Sequence, residues 1–256
     1  MKCISQEVYW WVRVFSFCPP GGALAEVRRI PTSKDAFALR ISGEITSADV
    51  DSFSVILRSV DRARHAVLGV SLNSNGGDIY AAIEIGRRLR GVRGAAVVNL
   101  NDECVSACVF VLAGAVTRSV EGRIGIHRPY SVERKELTFG EQQKAHDNLN
   151  NVVRSYLKEM NIHEGLLDAM NTVPPERIRY LSPDDIQSFG LGDIDPVEGE
   201  LQDSSMAARI GISKQEYLRR KALAEDVCEP LIQGENADFR FFSEYYNCRK
   251  RILGLP

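Results

Sequence analysis

Apolar and polar residues alternate along residues 36–43 (AFALRISG), the period of a half-buried strand. Gly43 ends that run. TSADVDSFSVILRSV follows with helical spacing at Val50, Phe53, Val55, Ile56 and Val60, and Thr46, Ser47 and Asp49 are its capping candidates. Residues 66–72 (AVLGVSL) are almost wholly apolar, as a strand buried in a parallel sheet requires. NSNGG at 73–77 reads as a glycine-rich turn. Residues 78–90 read as a helix with Ile79, Ala82, Ile83, Gly86 and Leu89 on one face. A strand is expected at 94–100, a short polar turn at NDE, an apolar helix near 106–115 and a short strand at about 123–127. Strand–helix alternation of this kind predicts crossover units and a mostly parallel sheet.

From Phe139 to Met160 the spacing predicts a long polar helix whose sparse apolar residues suit an arm or a lid better than a core element. A short helix over 161–170 ends before Pro174-Pro175. A second covers 182–189, capped by Ser182 with Pro183 in its first turn and ended by Gly190, and LGDID forms a last short strand. The texture then changes. Residues 199–256 hold an amphipathic helix (SKQEYLRRKALAEDV) and a basic, aromatic tail, and read as an appended helical extension to a domain spanning 26–198. Residues 1–25 combine Lys2, an apolar stretch interrupted by Gln6, Glu7 and Arg13, and an A-L-A triplet ending at Ala25. They read either as a degenerate secretory signal or as a disordered tail.

Composition narrows the classes. The chain has 256 residues, 44% of them hydrophobic, enough for a real core. Lys and Arg number 32 against 34 Asp and Glu, a balance that argues against a nucleic-acid binder. No run approaches the ~18–20 apolar residues that span a bilayer. Of six cysteines, Cys3 and Cys18 lie in the leader-like segment, and the remaining four suit an oxidising compartment. A Cys228–Cys248 bridge would add about 3 kcal/mol on the chain-entropy model. Two free thiols in a reducing cytosol are the alternative.

Three strings carry chemistry. NSNGG between a buried strand and a helix can aim backbone N–H groups at a negative charge, although it lacks the phosphate-loop pattern and its lysine. In ECVSACVFVLAGA, Ser106 sits where a strand turns into an apolar helix, with the Ala107 N–H next to it; this is the mechanical arrangement of a nucleophile elbow without its GxSxG string. An ordinary helix-capping serine is the competing reading. In GRIGIHRPY, His127 ends a strand one helix and one strand later, which returns it to the same sheet edge. His65 falls in a turn, and His146 and His163 fall on polar helices, where solvated side chains are expected.

Taken in order, NSNGG with DIYAAIEIGRRLRG, SACVFVLAGA, GRIGIHRPY and ERIRYLSPDDIQSFGLGD resemble the Clp protease proteolytic subunit and, more broadly, the ClpP/crotonase superfamily, over about residues 36–197. The GRIGI string is also similar to signal peptide peptidase A. With the leader-like segment and the C-V-S-A-C string, the chain most resembles predicted periplasmic ClpP-like proteins. The resemblance implies an α/β fold, a repeated ββα spiral with a mostly parallel sheet, and a handle-type helix at 139–160 that builds homo-oligomers, to which the helical carboxyl extension is an addition. It implies Ser106 as nucleophile, His127 as general base, and Gly76 and Ala107 as backbone oxyanion donors. The acid does not carry over: its position is Ile178, which can neither orient a histidine nor stabilise an imidazolium.

Glu176 is a substitute, but two residues of extended chain are ~6.6 Å. Asp184 or Asp185 from the next helix, or a Ser–His dyad, are the other possibilities. Lys135 and Lys144 sit in charged, exposed contexts that suit no catalytic lysine. Cys104 and Cys108 bracket Ser106, and their spacing allows a bridge that would stiffen the elbow. No ligand spacing indicates a metal, and no cofactor is implied. The expected function is an ATP-independent serine peptidase, periplasmic or secreted, with a cytoplasmic location as the alternative. A catalytically silent scaffold that binds peptide or protein, and a crotonase-type acyl-CoA enzyme, are the competing functions.

Overall fold

The chain, a computed structural model, is described over residues 26–30, 36–61, 67–130, 138–231 and 239–255. The leader-like segment, His65 and Lys135 lie outside the described residues. The first elements are β1 (Glu26–Ile30), β2 (Ala36–Ile45), α1 (Ser47–Ser59), β3 (Val67–Gly77), α2 (Ile79–Gly91) and β4 (Ala95–Val98). Then come β5 (Glu103–Val105), α3 (Cys108–Gly114), β6 (Thr117–Val120), β7 (Arg123–Ile126), α4 (Phe139–Glu159), α5 (Gly165–Asn171) and β8 (Arg179–Tyr180). The chain ends with α6 (Pro183–Phe189), β9 (Asp193–Ile194), α7 (Pro196–Arg209), α8 (Lys214–Cys228) and α9 (Phe239–Leu253). The expected α/β class and mostly parallel sheet are what the chain forms. Strands run in the order β8-β7-β5-β3-β4-β6-β9, and among the described residues only the β1–β2, β6–β9 and β7–β8 pairs are antiparallel.

β3 is the axis of the molecule, and it corrects one expectation. NSNGG is not a turn after the strand but its last five residues. β2 runs beside it, shifts register between Ser42 and Glu44, and goes on to pair Glu44 with Gly76 and Ile45 with Gly77. Because β3 is this long, it serves two neighbours. Its first half pairs with β4 (Gly69 with Ala95, Ser71 with Val97), and its end pairs with β5 (Ser74 with Cys104). The sheet therefore forks, with β4, β6 and β9 on one branch and β5, β7 and β8 on the other. The NDE turn is shorter than expected, because Glu103 already belongs to β5.

A buried polar cluster sits in the fork. Asp102, 7% exposed, takes a bidentate pair from Arg40 at 2.6 and 3.2 Å and a bond from the Asn99 amide at 2.7 Å. The Ser71 hydroxyl accepts from both Arg40 and Asn99 at 3.0 Å. Burial works to raise the Asp102 carboxyl, but the bonds from Arg40 and Asn99 outweigh it and hold the group below the ordinary aspartate value. The Asp102 carbonyl also accepts the Arg123 N–H, so one residue ties the start of β5 to the start of β7.

α3 is buried along its whole length and crosses α2 with almost no separation. A Cβ on Gly114 would overlap the Gly86 backbone, and a Cβ on Gly86 would overlap the Tyr156 hydroxyl. That hydroxyl donates to the Phe110 carbonyl at 2.6 Å, which locks α4 onto α3. α4 is accordingly not polar throughout. Leu149, Val153, Tyr156 and Leu157 pack in the core, and only its first half stands out, with Phe139 84% exposed. Val55 of α1, expected on that helix's apolar face, is exposed instead.

Around α7 a second, smaller set of buried residues begins: Ala207, Tyr217, Ala224, Cys228, Cys248 and Leu253. The Cys228–Cys248 disulfide joins α8 to α9 within it. So small a core gains proportionately from a covalent closure. Where the chain enters α7, Asp195 caps the helix through the Val197 and Glu198 N–H groups and pairs with Arg90 at 2.9 Å. Arg118 lies beside them, 3% exposed, and donates to the carbonyls of Gly190 and Ala113. Burial, reinforced by the neighbouring Arg90 charge, pulls its pKa down to about 10.

Candidate active site

The forked sheet delivers Ser106 to the end of β5. Its N–H donates to the Gly125 carbonyl of β7 at 2.9 Å, continuing the β5–β7 ladder for one more bond. There the backbone turns sharply: Ser106 has φ +56, a left-handed conformation that an L-residue adopts at a cost. Ala107 and α3 follow at once, and the Ser106 carbonyl accepts the Val109 N–H. A serine that merely capped the helix would sit in extended backbone; the observed turn is that of an elbow, with the side chain half-buried.

Gly76 explains why β3 ends in glycine. A Cβ there would lie 2.6 Å from the Ser106 Cβ and 2.9 Å from the Ala107 nitrogen, and its φ of +102 also excludes other residues. Ser74, which no sequence signal marks, holds this contact together. Its hydroxyl donates to the Gly43 carbonyl at 2.5 Å and accepts the Gly76 N–H at 3.1 Å. The Gly76 N–H is therefore engaged in this structure. Among the described residues the Ala107 N–H has no acceptor. Ser74 lies within NSNGG, but nothing in that string distinguishes a hydroxyl that braces the loop from one that faces solvent.

His127 follows β7 directly, two residues beyond the carbonyl that holds the Ser106 N–H. Its Nδ1 lies 3.0 Å from the Arg128 carbonyl. A carbonyl oxygen only accepts, so this contact fits the tautomer with the proton on Nδ1 and a lone pair on Nε2. Arg128 is in turn fixed by its own N–H, which donates to the Val173 carbonyl at 2.8 Å. The Tyr130 ring stands 5.7 Å from the imidazole. No hydrogen bond joins His127 to Ser106 among the described residues.

The acid candidates lie apart from the imidazole's hydrogen bonds. β8 pairs antiparallel to β7 (Gly125 with Tyr180, Ile126 with Arg179); His127 is the residue just after β7 and Ile178 the residue just before β8. Ile178 is not buried but 49% exposed, lying over Gly125. Asp185 is committed elsewhere: it accepts the Ser182 N–H as part of a capping box and pairs with Arg179 at 3.0 Å. The Ser182 N–H, and after it Arg179, hold its carboxyl below the ordinary value against the effect of partial burial. Glu176 and Asp184 are exposed. None of the three carboxylates hydrogen-bonds His127 among the described residues.

Cys104 and Cys108 form a disulfide across Ser106, with Cα atoms 5.2 Å apart. Beyond His127 opens a cleft of about 380 Å³ lined by Pro129, Tyr130, Phe139, Gln143, His146 and Pro175. His146 is thus a half-buried cleft residue rather than the solvated one its polar helix suggested, and its Nε2 lies 3.0 Å from the Asn150 amide. His163 is exposed, as is Lys144. Among the described residues no group of three or more His, Cys, Asp or Glu is placed to hold a metal ion, and no helix is long and apolar enough to cross a membrane.

No family model matches the chain. No curated protein matches it either. Among solved structures it is similar to a mutant of the 1510-N membrane-bound stomatin-specific protease, with TM-score 0.47 and 19% identity over 60% of this chain and 75% of that one. A second mutant of that protease, in complex with a substrate peptide, has TM-score 0.46 and 18% identity over 65% and 78%. A ClpP1 mutant from Listeria monocytogenes has TM-score 0.43 and 16% identity over 60% and 88%. Likenesses at this level assign no residue a role.

Proposed function

We propose that the chain is a serine hydrolase that cleaves peptide bonds through an acyl-enzyme on Ser106, with His127 as general base and no ATPase partner. The observation that carries this reading is Ser106 itself, held left-handed at a strand–helix elbow against Gly76 at the sheet end that also bears His127. His127 Nε2 takes the proton as Ser106 Oγ attacks the carbonyl carbon, and returns it to the leaving amine as the tetrahedral intermediate collapses. The Ala107 N–H, with the Gly76 N–H shared from Ser74, receives the oxyanion. A water activated by the same imidazole then releases the acid. The Arg128 carbonyl does the orienting that a carboxylate performs in a full triad, but it carries no charge to stabilise the imidazolium. The reaction is accordingly slow. The peptide as substrate class comes from the motif resemblance, and the cleft beyond His127 is the place for a substrate side chain.

Fluorophosphonate labelling followed by peptide mass spectrometry tests this directly. Ser106 is expected to be the labelled residue, Ser106→Ala to abolish labelling, and His127→Ala to slow it by at least ~10². A folded wild-type protein that takes no label, or label that persists in Ser106→Ala, would sink the hydrolase. One observation favours a second reading, a silent scaffold that binds peptide in the same cleft: Ile178 stands where an acid would face His127.

We also place the protein outside the cytosol and in a homo-oligomer built through the exposed half of α4. Two disulfides support the first and the unpacked Phe139 end of α4 supports the second. Native mass spectrometry without reductant is expected to give a multiple of the chain mass with a deficit of at least about 4 Da per chain, about 2 Da for each bridge. A monomer with full thiol mass contradicts both.

A further inference from the structure

The two disulfides differ in what they join. Cys228–Cys248 links two helices of the small carboxyl core, whereas Cys104–Cys108 spans only the elbow, from the middle of β5 to the first residue of α3. Between its ends stands Ser106 at φ +56, in a region that the serine side chain itself disfavours. The flanking elements are short: β5 has three residues and α3 has seven. Neighbouring contacts brace only parts of the turn, through the Gly76–Ser106 approach and the bond from the Ser106 N–H to Gly125. A covalent closure holding the ends 5.2 Å apart removes most other backbone paths through Val105, Ser106 and Ala107.

From this geometry we infer that Cys104 and Cys108 are positioning residues for Ser106, and that their oxidation switches the hydrolase on once, when the chain folds in an oxidising compartment. The inference rests on Ser106 being the nucleophile. The oxidant is a disulfide, protein-borne or small. The thiolate of one cysteine attacks it and expels a thiol; the second cysteine then displaces the other half, so two thiols become one disulfide and the oxidant leaves as two thiols. Exchange needs an accessible sulfur, and both cysteines are 0% exposed in the fold. The bridge therefore forms during folding and is shielded afterwards, which makes the activation one-way. In a reducing cytosol the unbridged elbow relaxes out of its left-handed turn and the protease stays silent before export.

The test compares wild type, Cys104→Ala/Cys108→Ala and Cys228→Ala/Cys248→Ala by two readouts: the rate of fluorophosphonate labelling at Ser106 and the hydrogen exchange of amides 105–110. The first double variant is expected to label at least about tenfold more slowly and to exchange faster at the elbow while still melting cooperatively. The second is expected to label near the wild-type rate. Native wild type held in millimolar glutathione is expected to keep its labelling rate. If the alanine pair does not fold, Cys104→Val/Cys108→Ala restores volume at the buried site and takes its place. Wild-type labelling in the elbow variant overturns the inference and leaves the hydrolase standing; prompt loss of labelling in glutathione overturns the one-way step. A wild type that never labels removes the hydrolase instead. In that case unchanged exchange at 105–110 overturns the positioning role, and faster exchange supports it.

Discussion

Ile178→Asp is expected to raise the rate of Ser106 acylation by at least about tenfold, with an upper bound near ~10⁴, the loss seen when a triad aspartate is neutralised elsewhere. The reasons are geometric and electrostatic. His127 follows β7 and residue 178 precedes β8, so extending the β7–β8 register by one step brings a short carboxylate at 178 towards the imidazole. Position 178 is half-exposed, so an ionised aspartate enters without a large desolvation cost. Once there, it competes with the Arg128 carbonyl for the Nδ1 proton and, unlike that carbonyl, stabilises the imidazolium that forms during attack. Ile178→Asn is the control, since it offers a similar shape and no charge. Labelling rates measured for both variants decide the matter: an aspartate no faster than wild type, or an asparagine that matches it, would falsify the account of the missing acid. The same comparison separates the two readings of the site. A scaffold whose elbow or oxyanion donors are themselves unsuited gains nothing from a carboxylate.

The second large effect is on stability. Gly114→Ala is expected to cost about 3 kcal/mol, the upper end of overpacking costs, because the new methyl meets the Gly86 backbone rather than a side chain that could turn away. For a chain of this size that lowers the melting temperature by about 6–12 °C. Separation of α3 from α2 also tilts the helix that begins at the elbow, so labelling of Ser106 falls even in the fraction that remains folded. Gly91→Ala is the matched control: it lies at the exposed end of α2, a Cβ there meets nothing within 4 Å, and the change is expected to be neutral or stabilising by up to ~1 kcal/mol. Thermal melts of the two variants side by side check the claim. A Gly114→Ala protein that melts like wild type would show that the helices part more easily than their contact indicates.

Much of the site is legible in the amino-acid sequence. The apolar run at 66–72 and the spacing of Ile79, Ala82, Ile83, Gly86 and Leu89 come from burial on a strand and on one face of a helix, and those periods are written locally. The same local logic puts Ser106 at a strand-to-helix change and His127 at a strand end, and both stand at the same sheet end. It also marks Cys104 and Cys108 as close enough to bridge. Local logic fails where an extended segment is stabilised by a neighbour distant in sequence. NSNGG has the composition of a turn, yet it is a strand, because β2 lies alongside it and supplies its pairing as far as Gly77. β5 and β6 are too short to show a period of their own and exist through pairing with β3, β7 and β4.

What the sequence determined by itself is therefore the alternation of strand and helix, the buried face of α2, the elbow serine and the histidine that follows it, because each depends on residues within a turn or two. Only the tertiary structure decided how β3 forks between two branches, which hydroxyl braces Gly76, that Arg40 finds Asp102, that the second half of α4 is core, and that Ile178 is exposed. Those are contacts between residues far apart along the chain. Their partners are chosen by closure of the whole fold, and no local period encodes it.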